Sequence, residues 1–198
     1  MKKLLSALST LWLLAACSQA PIRPAAPPEP YPDVALLTSM GTIVVELDRA
    51  RAPLSVDNFL HYVNTGFYDG TLFERVVPGF VIQGGGFNTA YKEKKTGAPI
   101  PNEAGNGLSN LRGTIAMARE DAPHTATAQF YINLVDNKKL DPRPDRWGYA
   151  VFGKVIQGMD VVDRIAAVTT GKTGPFEKDA PLQQVVILKA RVLKQSLD

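Results

Sequence analysis

The stretch LFERVVPGFVIQGGG, residues 72–86, decides how the chain is read. Two short apolar runs, Leu72 to Val77 and Phe80 to Gln83, flank Pro78-Gly79, which reads as strand, turn, strand. The same pattern recurs at Gly113 to Ala118, Gln129 to Leu134 and Tyr149 to Val155, with Gly-, Pro- and Asn-rich connections between. In TIVVELD, residues 42–48, Ile43, Val45 and Leu47 alternate with Thr42, Val44, Glu46 and Asp48, the signature of a half-buried strand. The last strand, Val186 to Val192, alternates likewise. Two segments carry the helical period instead. After Pro53, residues Val56, Phe59, Leu60 and Val63 form one stripe that Gly66 ends, and Val161, Val162, Ile165 and Ala166 form another within Met159 to Val168. Many strands with two short helices and no alternation of strand and helix point to an antiparallel sheet closed, or nearly closed, on itself, with the helices over its open ends. Closure would also remove the exposed edges of so many strands.

Outside this region the N-terminus reads as an export signal. Lys2-Lys3 precedes an apolar run from Leu4 to Ala16, too short to span a bilayer as a permanent helix. The run ends in Leu14-Ala15-Ala16-Cys17, which resembles a bacterial lipobox, so Cys17 is expected to carry the lipid and become the mature N-terminus; the alternative is an ordinary signal peptide followed by a chance cysteine. Residues 18–33 hold six prolines and read as an extended tether. The expected organisation is a signal peptide over residues 1–16, a Pro-rich tether over 17–33 and one domain over 34–198. The formal net charge is +3, and Lys2 and Lys3 supply two of those charges, so removing the leader leaves +1. Lys92-Glu93-Lys94-Lys95 is short and interrupted and reads as a solvated loop, so no nucleic-acid partner is expected. Cys17 is the only cysteine, which excludes an intramolecular disulfide.

Several chemistries fail on their spacing. The glycines Gly84-Gly85-Gly86 lead into Phe87-Asn88-Thr89 with no helical pattern behind them, whereas a phosphate cradle needs a helix N-terminus. Gly171-Lys172-Thr173 has Ala166 where a P-loop needs its first glycine, and reads as a loop. His61 and His124 are far apart and lack ligating neighbours, so no metal is expected. No G-x-S-x-G elbow is present. What remains is one arginine, Arg75, in an apolar strand. Such a charge costs heavily unless it has a partner or access to solvent. Glu74 is not that partner, because neighbouring residues in a strand face opposite ways.

The blocks FERVVPGFVIQGGG, RGTIAMAR, AQFYIN and WGYAVFGKVIQGMDVVD, in that order, resemble the signature blocks of the cyclophilin peptidyl-prolyl isomerases, above all the periplasmic bacterial members. The similarity spans roughly residues 34 to 194. It implies a closed eight-stranded antiparallel β-barrel capped by two α-helices, acting as a monomer on proline-containing polypeptides without cofactor or metal. It implies that Arg75 is the hydrogen-bond donor to the proline nitrogen as the amide twists, and that Gln83 orients Arg75 and the substrate. Phe80, Val81, Tyr131 and Leu140 would line the proline pocket, the Ala118-Arg119 segment would pair with the peptide backbone, and Gln129 would meet the residue before proline. Val81 and Tyr131 stand where the family usually has Met and Phe. Tyr149 replaces a histidine of many eukaryotic members. Lys139 falls at or near the tryptophan that helps hold cyclosporin in those members, which argues for weak drug binding. The expectation is therefore a periplasm-facing isomerase for exported proteins, anchored to the outer membrane through Cys17. The alternative is a peptide-binding chaperone module of the cell envelope with incidental isomerase activity.

Overall fold

Alternation along β1 (Asp33–Thr38) and β2 (Gly41–Leu47) sends Val34, Leu36, Ile43, Val45 and Leu47 into one interior, and the two strands pair as an antiparallel hairpin. The computed structural model describes residues 28–193, so Cys17, the leader and most of the Pro-rich segment lie outside the described residues. The end of that segment runs beside β2, where Pro32 and Pro30 accept hydrogen bonds from the amides of Leu47 and Arg49 at 3.0 Å each.

Helix α1 (Pro53–Asn64) follows, with Pro53 in its first turn and Phe59, Leu60 and Val63 buried. Its N-terminus has no capping side chain of its own. Glu103, from a distant loop, takes that part, accepting from the amides of Leu54 and Ser55 at 3.0 and 2.7 Å. The chain continues through β3 (Thr71–Leu72), β4 (Arg75–Val77), β5 (Val81–Gly84), β6 (Thr114–Met117), β7 (Phe130–Asn133) and β8 (Val151–Gln157). Helix α2 (Met159–Ala166), strands β9 (Thr170–Thr173) and β10 (Phe176–Pro181), and β11 (Val186–Val192) complete it.

The expected closed eight-stranded barrel is not what forms. Among the described residues, nine strands make one antiparallel sheet in the order β3-β11-β1-β2-β8-β6-β7-β5-β4, curled but open, and β9 and β10 pair apart from it. The seam explains the opening. Its end strands, β3 and β4, are consecutive in the chain and separated only by Phe73-Glu74, so the run expected as one strand is broken there. The hydrogen bonds at the break go elsewhere: Leu72 donates to the Phe87 carbonyl and Phe73 to that of Val185, both at 2.9 Å. No ladder joins β3 to β4. Gly171-Lys172-Thr173, expected as a loop, lies within β9.

Inside the curl, the Phe59 ring meets Tyr68, Phe130 and Phe152 at centroid distances of 5.1, 5.4 and 5.2 Å, an aromatic cluster that ties α1 to β7 and β8. A second, smaller apolar cluster is built from the residues that alternate with the core positions: Val81, Ala116, Ala118, Tyr131 and Val151, with Phe80, Leu108, Leu140 and Tyr149 against it. The sheet is therefore apolar on both faces where β5, β7 and β6 lie side by side.

Between β8 and α2 the backbone of Gly158 has φ 83°, and a Cβ there would stand 2.2 Å from the Thr42 carbonyl oxygen. Both the left-handed backbone and the contact exclude a side chain. Gly158→Ala is expected to destabilise the fold by about 2 kcal/mol or more. The urea midpoint would fall with the m-value unchanged, and a midpoint equal to wild type would contradict this packing.

Candidate active site

The register places three of the singled-out residues, Arg75, Gln83 and Tyr131, in one row. Arg75 on β4 stands opposite Gln83 on β5, Gln83 opposite Tyr131 on β7, Tyr131 opposite Ala116 on β6, and Ala116 opposite Val151 on β8. Their neighbours along each strand, Val76, Ile82, Ile132 and Ile115, are fully buried in the main core. Strand alternation thus puts Arg75 on the face of the second cluster, where it is only half-buried, and accounts for an arginine in an apolar strand.

Above this row lies a cleft of about 180 Å³, lined by Arg75, Phe80, Val81, Gln83, Ala118, Arg119, Tyr131, Leu140 and Tyr149. That volume is below the roughly 300 Å³ at which sites for drug-sized ligands begin, and suits one side chain or ring. Nine of the ten residues singled out in the domain surround it; Gln129 does not. Gln129 instead lines an adjoining recess of about 150 Å³ with Glu93, Glu120, Thr125 and Thr127, and the two hollows share Gln83, Ala118 and Arg119. A larger hollow of about 380 Å³, bounded by Glu46, Asp48, Leu108, Leu111 and Lys154, lacks such convergence, since Glu46 and Lys154 pair with each other at 3.1 Å.

Hydrogen bonds fix the polar side chains. Arg75 Nη1 donates to Gln83 Oε1 at 3.3 Å, and Gln83 Nε2 donates to Gln129 Oε1 at 2.9 Å. Gly86 gives Gln129 its room: a Cβ at Gly86 would lie 2.6 Å from the Gln129 amide. The glycine run therefore serves close packing here. Arg119 is fully engaged. Its guanidinium donates to the carbonyls of Glu120, Asp121, Trp147 and Gly148 and lies 4.4 Å from the centroid of the Tyr149 ring. It ties two loops into one rigid wall.

A polar network beneath the cleft carries no signal in sequence. Tyr131 Oη donates to Asn110 Oδ1 at 2.7 Å, and the Asn110 side chain donates to Asp141 at 2.9 Å. Ser109 also bonds Asp141, as does the Asn110 amide at 2.7 Å. Asn137 donates both to Asn133 Oδ1 at 2.8 Å and to the Phe80 carbonyl at 2.9 Å. Partial burial pushes the Asp141 carboxyl up, but the bonds from Ser109 and Asn110 and the nearby Lys138 hold it below its ordinary value. Burial, with Tyr149 and Asp141 adding to it, holds the Tyr131 hydroxyl well above its ordinary value, so Tyr131 stays a neutral donor. Pocket floor and Phe80 backbone are thereby locked to loops more than twenty residues away in sequence.

Among the described residues no group of three or more His, Cys, Asp or Glu side chains could hold a metal ion. His124 Nδ1 accepts from the Asn102 amide at 3.0 Å and its ring packs on Trp147, while His61 packs on Tyr62. Cys17 lies outside the described residues.

The family model described as cyclophilin type peptidyl-prolyl cis-trans isomerase/CLD matches residues 34–192. The chain belongs to that family, and it is a peptidyl-prolyl cis-trans isomerase acting on proline-containing chains. It is 48% identical over 194 residues to peptidyl-prolyl cis-trans isomerase A of Dickeya dadantii, covering 98% of this chain and 99% of that one. It is 52% identical over 153 residues to peptidyl-prolyl cis-trans isomerase B of Escherichia coli, covering 76% and 93%. Among solved structures, a cyclophilin from Cryptosporidium parvum superposes with a TM-score of 0.69 at 23% identity, covering 83% of this chain and 98% of its own, a likeness of fold.

Proposed function

We propose that Arg75 is the catalytic residue, that Gln83 positions it, and that the hollow between Phe80, Val81, Tyr131 and Leu140 takes the proline ring. An X-Pro bond crosses a barrier of about 18–20 kcal/mol, set by amide resonance and not by any bond that must break. As the C–N bond turns, the proline nitrogen recovers its lone pair and becomes an acceptor. A guanidinium aimed at it binds the twisted amide better than either planar form, which is the condition for catalysis. One such donor is worth about 3–4 kcal/mol. Bringing a process of ~100 s to milliseconds needs about 7 kcal/mol. The remainder falls to the apolar walls, which disfavour the charge-separated planar amide, and to the backbone near Ala118 and Arg119 that would hold the peptide while one end turns.

The observation that carries this reading is the hydrogen bond from Arg75 to Gln83 in a cleft that Phe80, Val81, Tyr131 and Leu140 also line. Gln129, bonded to Gln83 in the adjoining recess, is assigned to the residues before proline. Arg119 acts through its backbone, since its side chain is committed to the wall, and Tyr149 acts as the surface on which that guanidinium rests. The decisive test is a protease-coupled proline-peptide assay on wild type and Arg75→Ala.

The substrates in this reading are exported proteins in the bacterial cell envelope, and the enzyme faces the periplasm, tethered to the outer membrane by lipid on Cys17. Its support is the order Lys2-Lys3, Leu4 to Ala16, Leu-Ala-Ala-Cys and six prolines before the domain. The expected intact mass of membrane-extracted protein is that of a chain starting at Cys17 with three acyl chains, and Cys17→Ser is expected to release it to the soluble fraction. A chain retaining residues 1–16, or one without acyl mass, would refute the anchor.

A further inference from the structure

We propose that Lys139 sets substrate specificity, favouring peptides with a carboxylate on the residue that follows proline; this rests on the reading of the Arg75 cleft as the active site. The cleft has two unlike ends. Toward Gln83 and Ala118 it opens into the recess that carries Gln129, Glu93 and Glu120, assigned above to residues before proline. At the other end stand Phe80 and Leu140, and there the Lys139 ammonium lies 4.7 Å from the centroid of the Phe80 ring. A chain that enters past Gln129 and seats its proline between these walls must leave by the Phe80 end.

Lys139 is the uncommitted charge at that exit. It forms no ion pair with any described residue. The neighbouring acid, Asp141, is already held by Ser109 and Asn110, and Lys138 lies close enough to lower its proton affinity. Arg146 donates to the Lys139 carbonyl and to that of Asp141, which adds a second cation to the same edge. Packing on the Phe80 ring holds the ammonium over the rim, so less side-chain freedom is lost when a carboxylate arrives. Phe80 itself is anchored from behind through its carbonyl to Asn137. The side chain that grips the proline ring thus also presents the charge that reads the next residue.

The test is a set of peptides identical except for Glu, Ala or Lys directly after proline, assayed as kcat/KM in wild type, Lys139→Ala and Lys139→Glu. Wild type is expected to favour Glu over Lys by about two- to fivefold at low ionic strength, as for an exposed pair, and to lose the preference in high salt. Lys139→Ala should flatten the ratio and Lys139→Glu should invert it. Ratios that are the same in all three proteins, or a wild-type ratio near one, would overturn the assignment. Arg75→Ala on the same peptides keeps the two readings apart. If it removes activity on all three while the ratios ignore position 139, only the role of Lys139 fails. If activity survives Arg75→Ala, the catalytic assignment fails, and the ratios still decide whether Lys139 reads the substrate.

Discussion

Arg75→Ala is expected to lower kcat/KM for an Ala-Pro peptide by about 100- to 1000-fold, the loss typical when one preorganised donor to a developing charge is removed. The loss should fall on kcat. The planar substrate offers no lone pair at nitrogen, so the guanidinium adds little to ground-state binding and KM should hardly move. Stability should hardly move either, because Arg75 is half-buried and its side-chain hydrogen bond, to Gln83, is long at 3.3 Å. Arg75→Lys restores the charge without the planar fork, and its activity is expected to lie between the two. Unfolding midpoints measured beside the coupled assay separate chemistry from folding. A variant as active as wild type would remove Arg75 from the mechanism, and one that is inactive because it is unfolded would show as a lost transition.

What could be read from sequence divides along a physical line. Strand alternation is local, so it was enough to turn Glu74 away from Arg75, whereas Val81, Gln83 and Tyr131 were grouped with Arg75 by the resemblance of their blocks, and the register then put them on the face opposite Val76 and Ile82. The helices were equally legible from Val56, Phe59, Leu60 and Val63 and from Val161, Val162 and Ile165, and both end within two residues of their expected C-termini. The closed barrel failed because closure depends on partners far away in sequence. Nothing in Leu72-Phe73-Glu74 announces that Leu72 will bond Phe87 and Phe73 will bond Val185, yet those two bonds split the expected strand and leave the sheet open. The β9–β10 ribbon was hidden for a related reason. Its residues are mostly polar and partly exposed, and it is held by the edge contact of Phe176 on Phe87, at 4.9 Å, across a span no local pattern reports. The network under the cleft also joins loops: Asn110 and Asp141 are 31 residues apart, and each alone resembles an ordinary turn former.

Glu74→Gln is expected to flatten the pH dependence of stability. Glu74 fills the break between β3 and β4, is 3% exposed, and neither carboxyl oxygen closes a hydrogen bond. Burial pushes its pKa from 4.5 to about 8, against the opposing pull of the backbone groups of Glu74, Gly86 and Phe87 and with Glu93 adding to the rise. The folded protein therefore holds this proton where the unfolded chain has released it. Below about pH 4.5 both states are protonated and the group carries no penalty. As pH rises toward 8 the unfolded state gains by ionising, so stability falls, and above 8 the full penalty is present. At about 1.4 kcal/mol per pH unit the fall amounts to roughly 5 kcal/mol. It is bounded by the free energy of any local opening that lets water reach the carboxylate. Glutamine has the same shape and no proton to lose. Urea unfolding of both proteins from pH 5 to 8.5 is expected to give similar midpoints at the acid end and a variant more stable by several kcal/mol at the alkaline end. Profiles that stay parallel over this range would mean that Glu74 is ionised, and paired or hydrated, in the folded state. The seam between β3 and β4 would then be wetter than the structure has it.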